Sequence, residues 1–128
     1  MTKRTNILLL DNSERITHRI ELMLLLIKNI GEVEIAHTLA TAKDILFKKE
    51  IDVVILDIKF SDGNGIVFLK EVKSSYPRAE IIMLTNHADE YHRRYAQTAG
   101  ADYFIDKSLA FHQIPQIISE KITQYINQ

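Results

Sequence analysis

The stretch Asp52-Val53-Val54-Ile55-Leu56-Asp57, continuing as Ile58-Lys59-Phe60-Ser61-Asp62-Gly63-Asn64-Gly65, decides the fold. Its almost purely apolar, β-branched first half reads as a strand buried on both faces, the pattern of a parallel sheet. The run ends on a carboxylate, where turn-forming residues begin. Ligand chemistry in open α/β sheets gathers beyond the carboxyl ends of the strands. Asp57 is therefore the candidate reactive residue.

Outward toward the N-terminus, Ile7 to Leu10 reads as a strand ending at Asp11-Asn12. Ser13 is placed to cap a helix and Glu14 to sit in its first turn. Ile16, Ile20, Met23, Leu24 and Ile27 recur at helical spacing, with Gly31 as the stop. Val33 to His37 reads as a second strand, and Thr41 as the cap of a short helix with Ile45 and Leu46 inward. Toward the C-terminus, a helix from about Gly65 carries Ile66, Leu69 and Val72 and closes at Tyr76-Pro77. Glu80 to Leu84 is a fourth strand ending on Thr85, Ala88 to Ala99 a helix, and Tyr103-Phe104-Ile105 a fifth strand leading to Asp106-Lys107. The last helix carries Ile114, Ile117, Ile118, Ile122 and Tyr125, with Pro115 in its first turn. Strands alternating with helices predict one α/β domain over residues 1–128. The expected architecture is a doubly wound, five-stranded parallel sheet of order 2-1-3-4-5, a flavodoxin-like three-layer sandwich.

Composition narrows the function classes. At 128 residues, 46% apolar and 26% charged, the chain is an ordinary globular domain with enough length for a substantial core. A net charge of −1 provides no global field toward nucleic acid or membrane. The absence of cysteine removes disulfides, thiol catalysis and cysteine-based zinc sites. The opening residues run directly into a strand, so no signal peptide is expected, and Leu22 to Ile27 is far too short to span a bilayer. We therefore expect a cytoplasmic protein that binds neither membrane nor nucleic acid directly.

In the 2-1-3-4-5 order, strands one and three are neighbours, so Asp11 and Asp57 share one sheet edge with Thr85 and Lys107 beside them. Two close carboxylates repel by several kcal/mol at an effective dielectric of about 20. A divalent cation relieves that repulsion, and oxygen-only ligands favour Mg2+, which keeps waters and works alongside phosphate. Lys107 supplies a point charge and Thr85 a donor for phosphoryl oxygens. The constellation describes a phosphate-handling site built around a carboxylate nucleophile.

Over essentially its whole length the sequence resembles the CheY-like receiver domain of bacterial two-component response regulators. The residues that carry the resemblance are Leu10-Asp11-Asn12-Ser13-Glu14, Val54-Ile55-Leu56-Asp57-Ile58 with Asp62-Gly63-Asn64-Gly65, Leu84-Thr85, and Gly100-Ala101-Asp102-Tyr103-Phe104-Ile105-Asp106-Lys107. Each motif alone is weak, but four in order at strand ends are specific. The resemblance implies that Asp57 accepts a phosphoryl group from a histidine on a sensor kinase or phosphotransfer protein. It implies that Asp11, Asn12, Asp57 and the backbone carbonyl of Lys59 gather around Mg2+. Lys107 pairs with the phosphate in that picture, Thr85 swings to donate to it, and Phe104 is the switch aromatic that turns inward. Unless the chain is a fragment of a longer protein, its ending within the last helix leaves altered binding of a downstream protein or onward transfer as the expected output; the module is expected to catalyse only its own phosphorylation and dephosphorylation.

Four positions depart from the family pattern. Asn12 stands where a second acid is usual, so one negative charge is lost and weaker Mg2+ binding is expected. Asn86 replaces a small residue and narrows access to Asp57, Ser108 follows the lysine where proline is usual, and Ser61 replaces a common proline. Asp62, Gly63 and Gly65 read as turn chemistry, the scattered histidines as structural or surface groups, and His92-Arg93-Arg94 as a solvated helix face. The first helix is unusually apolar: Leu22, Leu25 and Leu26 add to a stripe already complete. Its outward side, with Arg15, Arg19 and Leu22, is the expected docking face for the phosphodonor. A second candidate surface, of the fourth helix with the fifth strand and fifth helix, displays Tyr91, Tyr95, Phe104 and Phe111, and the oligomeric state is left open, a homodimer included. The rival function is a receiver-like scaffold that binds its partner without phosphorylation. A flavin carrier of the same topology is disfavoured, because Asp11-Asn12-Ser13-Glu14 is acidic and cradles no phosphate.

Overall fold

The computed structural model describes residues 4–86 and 88–126, without the side chains of residues 110, 111 and 123–126. His87 and the side chains of Phe111 and Tyr125 therefore lie outside the described residues.

Strands β1 (Thr5–Leu10), β2 (Ile30–Ala36), β3 (Val53–Leu56), β4 (Glu80–Thr85) and β5 (Tyr103–Asp106) form one five-stranded sheet. Every pairing in it is parallel and the order is β2-β1-β3-β4-β5. Helices α1 (Glu14–Leu24), α2 (Leu39–Lys48), α3 (Gly65–Ser75), α4 (Glu90–Ala99) and α5 (Ala110–Ile126) connect them. Because consecutive strand residues face opposite sides, a run apolar at every position needs cover on both. Leu8, Leu10, Val54, Leu56, Ile81 and Met83 pack in one layer with α2, α3 and α4 through Leu46, Ile66, Leu69, Val72 and Ala96. Ile7, Leu9, Val53, Ile55, Ile82 and Leu84 pack in the other with α1 and α5 through Ile20, Leu24, Ile114, Ile118 and Ile122.

Several boundaries differ from the sequence reading. Gly31 does not stop α1; the helix ends at Leu24, and Gly31 lies in β2, where a Cβ would collide with the amide of Asn6. α2 is capped by Thr38, whose Oγ1 accepts from the Thr41 N–H at 3.2 Å, so Thr41 is the donor rather than the cap. Asp89 caps α4, and Gly100 ends it in the left-handed conformation at φ 115°, which favours glycine. Pro115 lies inside α5 rather than in its first turn, because a 3-10 turn at Lys107–Leu109 leads into a helix beginning at Ala110.

Between β3 and α3 the chain forms a short antiparallel hairpin, Lys59 opposite Asn64 and Phe60 opposite Gly63. Asn64 caps α3 by accepting from Ile66 N–H at 2.8 Å and Val67 N–H at 3.3 Å. Gly65 follows because no other residue fits: its N–H donates to the Ile58 carbonyl, and a Cβ there would fall onto the carbonyl oxygen of Asp57. This close approach seats α3 directly behind the candidate reactive residue.

Candidate functional site

Adjacency of β1 and β3 brings two distant acids to one sheet edge. The Asp57 N–H donates to the Leu10 carbonyl at 3.1 Å, and the Asp11 N–H to the Ala36 carbonyl at 3.2 Å, so both residues continue the ladder past the strand ends. Both are buried, Asp57 being 8% exposed. Asp57 Oδ1 accepts from the Ile58 N–H at 2.7 Å, and its Oδ2 from Lys107 Nζ at 2.7 Å. Asp11 Oδ1 accepts from the Ser13 N–H at 2.9 Å. Asp11 Oδ2 lies 2.9 Å from the same Nζ but off the direction of a hydrogen bond, and it has no hydrogen-bond donor among the described residues.

Lys107 reaches this point because β5 stops one residue earlier and the chain turns sharply. Asp106 pins the turn: its Oδ1 accepts from both the Ser108 N–H and the Ser108 hydroxyl at 2.9 Å. These two bonds hold the Asp106 carboxyl below its ordinary pKa. Serine at 108 thus fixes the turn through a side chain, and no cis peptide bond occurs among the described residues. Burial alone pushes the Lys107 ammonium toward neutrality, but the hydrogen bond to Asp57 and the neighbouring Asp57 and Asp11 carboxylates outweigh it, and its pKa is raised from its ordinary value.

Two carboxylates at one sheet edge, Asp11 and Asp57, suit Mg2+, which commonly takes one or two carboxylates and keeps its waters. Among the described residues no group of three or more His, Cys, Asp or Glu side chains could hold a metal ion. The buried Asp11 Oδ2 can take a cation without giving up a hydrogen bond.

Thr85, fully buried, ends β4 on a rung with Asp106. Phe104 is not displayed on the α4 surface: it is 9% exposed and packs in the core layer with Ala96 and Met83. Arg93 is not simply solvated either; its Cζ lies 4.9 Å from the Phe104 ring centroid. Tyr91 and Tyr95 are exposed on α4, their ring centroids 6.2 Å apart. On α1, Arg15 and Arg19 are exposed and Leu22 is 50% exposed; Leu25 and Leu26, in the turn just beyond the helix, are 70% and 88% exposed.

The sequence reading missed Asp62. Its Oδ1 accepts from the Leu39 N–H and its Oδ2 from the Ala40 N–H, each at 3.0 Å, which caps α2 from a loop more than twenty residues away. Asp-Gly in a turn announces a bend, and nothing in the linear pattern announces that partner.

A doubly wound sheet whose β1 and β3 ends hold two aspartates bridged by a lysine from the end of β5 defines a class, and comparison with known proteins agrees. The sequence profile of the response regulator receiver domain matches residues 7–119, and the chain belongs to that family. It is 26% identical over 123 residues to the Fimbriae Z protein of Salmonella typhimurium, covering 96% of this chain and 59% of that protein. Response regulator SaeR of Staphylococcus aureus is 30% identical over 79 residues, 62% of this chain and 35% of SaeR. The chain thus spans less than two thirds of the curated relatives it matches. A CheY-like receiver domain protein of Methanospirillum hungatei superposes with a TM-score of 0.87 at 25% identity, covering 98% of both chains. The chain is a signalling module of the two-component type rather than a metabolic enzyme, which supports a role in phosphorelay. No helix among the described residues is long and apolar enough to cross a membrane.

Proposed function

We propose that Asp57 is a phosphoacceptor. A carboxylate oxygen of Asp57 attacks the phosphorus of a phosphohistidine on a sensor kinase or phosphotransfer protein. The phosphorus–nitrogen bond breaks as the oxygen–phosphorus bond forms, and the departing imidazole leaves neutral by retaining or gaining one proton. Asp11, Asn12, Asp57 and the Lys59 carbonyl would hold Mg2+, which when bound would supply charge neutralisation for the transferring group. Lys107, already 2.7 Å from Asp57 Oδ2, is the observation that carries the reading: an ammonium stands where phosphoryl charge develops. Burial of the acid limits competing water.

The product adds about −1.5 to −2 charges at Asp57. Lys107 then exchanges its carboxylate contact for a phosphoryl oxygen, and Thr85 turns its hydroxyl toward another. Phe104, on the strand beside Thr85, conveys the rearrangement to the α4–β5 face. The exposed face of α1, with Arg15, Arg19 and Leu22, receives the phosphodonor, and a downstream protein reads the output in the cytoplasm. Incubation with a radiolabelled phosphohistidine protein and Mg2+ tests this: label moves to the wild-type chain and not to Asp57→Asn. If Asp57→Asn also keeps full affinity for the downstream partner, the scaffold reading replaces this one.

A further inference from the structure

Asp62 does more than end a turn. The hairpin of Lys59, Phe60, Gly63 and Asn64 has only two rungs and is mostly exposed, so it cannot hold its own shape. Its base is fixed by the Gly65 N–H bond to Ile58 and by Asn64 on α3, and Phe60 packs against the core layer. Its tip is fixed by Asp62, whose two oxygens each take one of the first two amides of α2. Gly63 lies against the same helix: a Cβ there would come 2.7 Å from Leu39 Cδ1. The Leu39 amide, then the Ala40 amide, hold the Asp62 carboxyl below its ordinary pKa, so it is ionised at neutral pH, as suits a helix N-terminus.

Helix α2 already has its own cap in Thr38. Asp62 adds to that capping at two other amides, and of the two caps it alone ties the hairpin, which carries the Lys59 carbonyl, to the helix. We infer that Asp62 is a positioning residue for the metal site, clamping to α2 the hairpin that carries the Lys59 carbonyl, a ligand in the proposed Mg2+ set. This inference rests on the Mg2+-dependent phosphoacceptor reading.

Two variants separate clamping from simple helix capping. Asp62→Ala and Thr38→Ala each remove a side-chain acceptor from the start of α2, but only the first releases the hairpin. Calorimetric titration of the full chain with Mg2+ is expected to show roughly tenfold weaker binding in Asp62→Ala, at the low end of the effect of outer-sphere partners. Thr38→Ala changes the affinity by less than about twofold at matched stability, within ordinary capping effects. Asp62→Asn, which keeps an acceptor oxygen and the fold if alanine does not, falls between. Equal Mg2+ affinity in wild type and Asp62→Ala, or equal weakening in Thr38→Ala, overturns the inference while leaving the phosphoacceptor site intact. A wild-type chain that binds no Mg2+, or an Asp57→Asn chain that binds it unchanged, overturns the underlying site and the inference with it.

Discussion

Arg93 of α4 lies over the ring of Phe104 of β5, its Cζ 4.9 Å from the centroid, and its Nη1 donates to the Phe104 carbonyl at 3.5 Å. One guanidinium thus contacts the ring and the backbone of the residue proposed to transmit the switch. Such a cation–ring contact is worth about 0.5–2 kcal/mol depending on burial. Replacing Arg93 with alanine is expected to lower stability by about 1 kcal/mol and to let the ring sample outward rotamers. A fluorine-labelled phenylalanine at 104 reports this: one resonance in wild type and a second, outward population in Arg93→Ala. An unchanged single resonance shows that core packing alone holds the ring.

Lys107 bridges Asp57 and Asp11, so removing it leaves two buried carboxylates facing each other. Lys107→Met is expected to cost about 3 kcal/mol without divalent ions, the range for breaking a buried ionic contact. Millimolar Mg2+ is expected to raise the melting temperature of this variant more than that of wild type. The pH dependence follows from the raised ammonium pKa: stability from the bridge is complete below 10.5 and is lost as pH rises through the higher folded-state value. Denaturant midpoints of wild type and Lys107→Met therefore converge above that pH and stay apart below it.

Asn12 leaves the site one carboxylate short of the family pattern. Asn12→Asp is expected to tighten Mg2+ binding roughly tenfold and to lower stability in its absence, since the added charge joins two others at one edge. Calorimetry with and without Mg2+ measures both, and an unaltered Mg2+ affinity removes residue 12 from the ligand set.

Where a feature depends on one residue type at one strand end, it was legible from the linear pattern. Val53 to Leu56 are apolar at every position because both faces are covered, and that alone predicts a parallel sheet. Asp11, Asp57, Thr85 and Lys107 stand out because each interrupts an apolar run at its C-terminal end. What was not legible depends on side chains reaching across sequence. Asp62, which reaches Leu39, and Arg93, which reaches Phe104, read as ordinary surface residues until the fold brings their partners near. Helix starts at Leu39 and Glu90 were misjudged because Thr and Asp occur at several neighbouring positions, and only the backbone decides which one caps.

The α1 face offers Leu22 to solvent along with Arg15 and Arg19, and Leu25 and Leu26 are exposed in the turn that follows the helix. Leu22→Glu is expected to change stability by no more than about 0.5 kcal/mol, as for other exposed positions. It should slow transfer from a phosphohistidine protein severalfold while leaving labelling by a small phosphodonor unchanged. Stopped-time transfer assays with both donors separate these outcomes, and equal rates from the protein donor would remove α1 from the docking surface.

The most direct measurement is the intact mass of the chain after incubation with a small phosphodonor, with and without Mg2+. The account predicts a gain of one phosphoryl group that requires Mg2+, is lost in Asp57→Asn and is reversed by hydroxylamine, as for an acyl phosphate. A wild-type chain that gains no mass, or an Asp57→Asn chain that gains it equally, contradicts the assignment of Asp57 as the reactive residue.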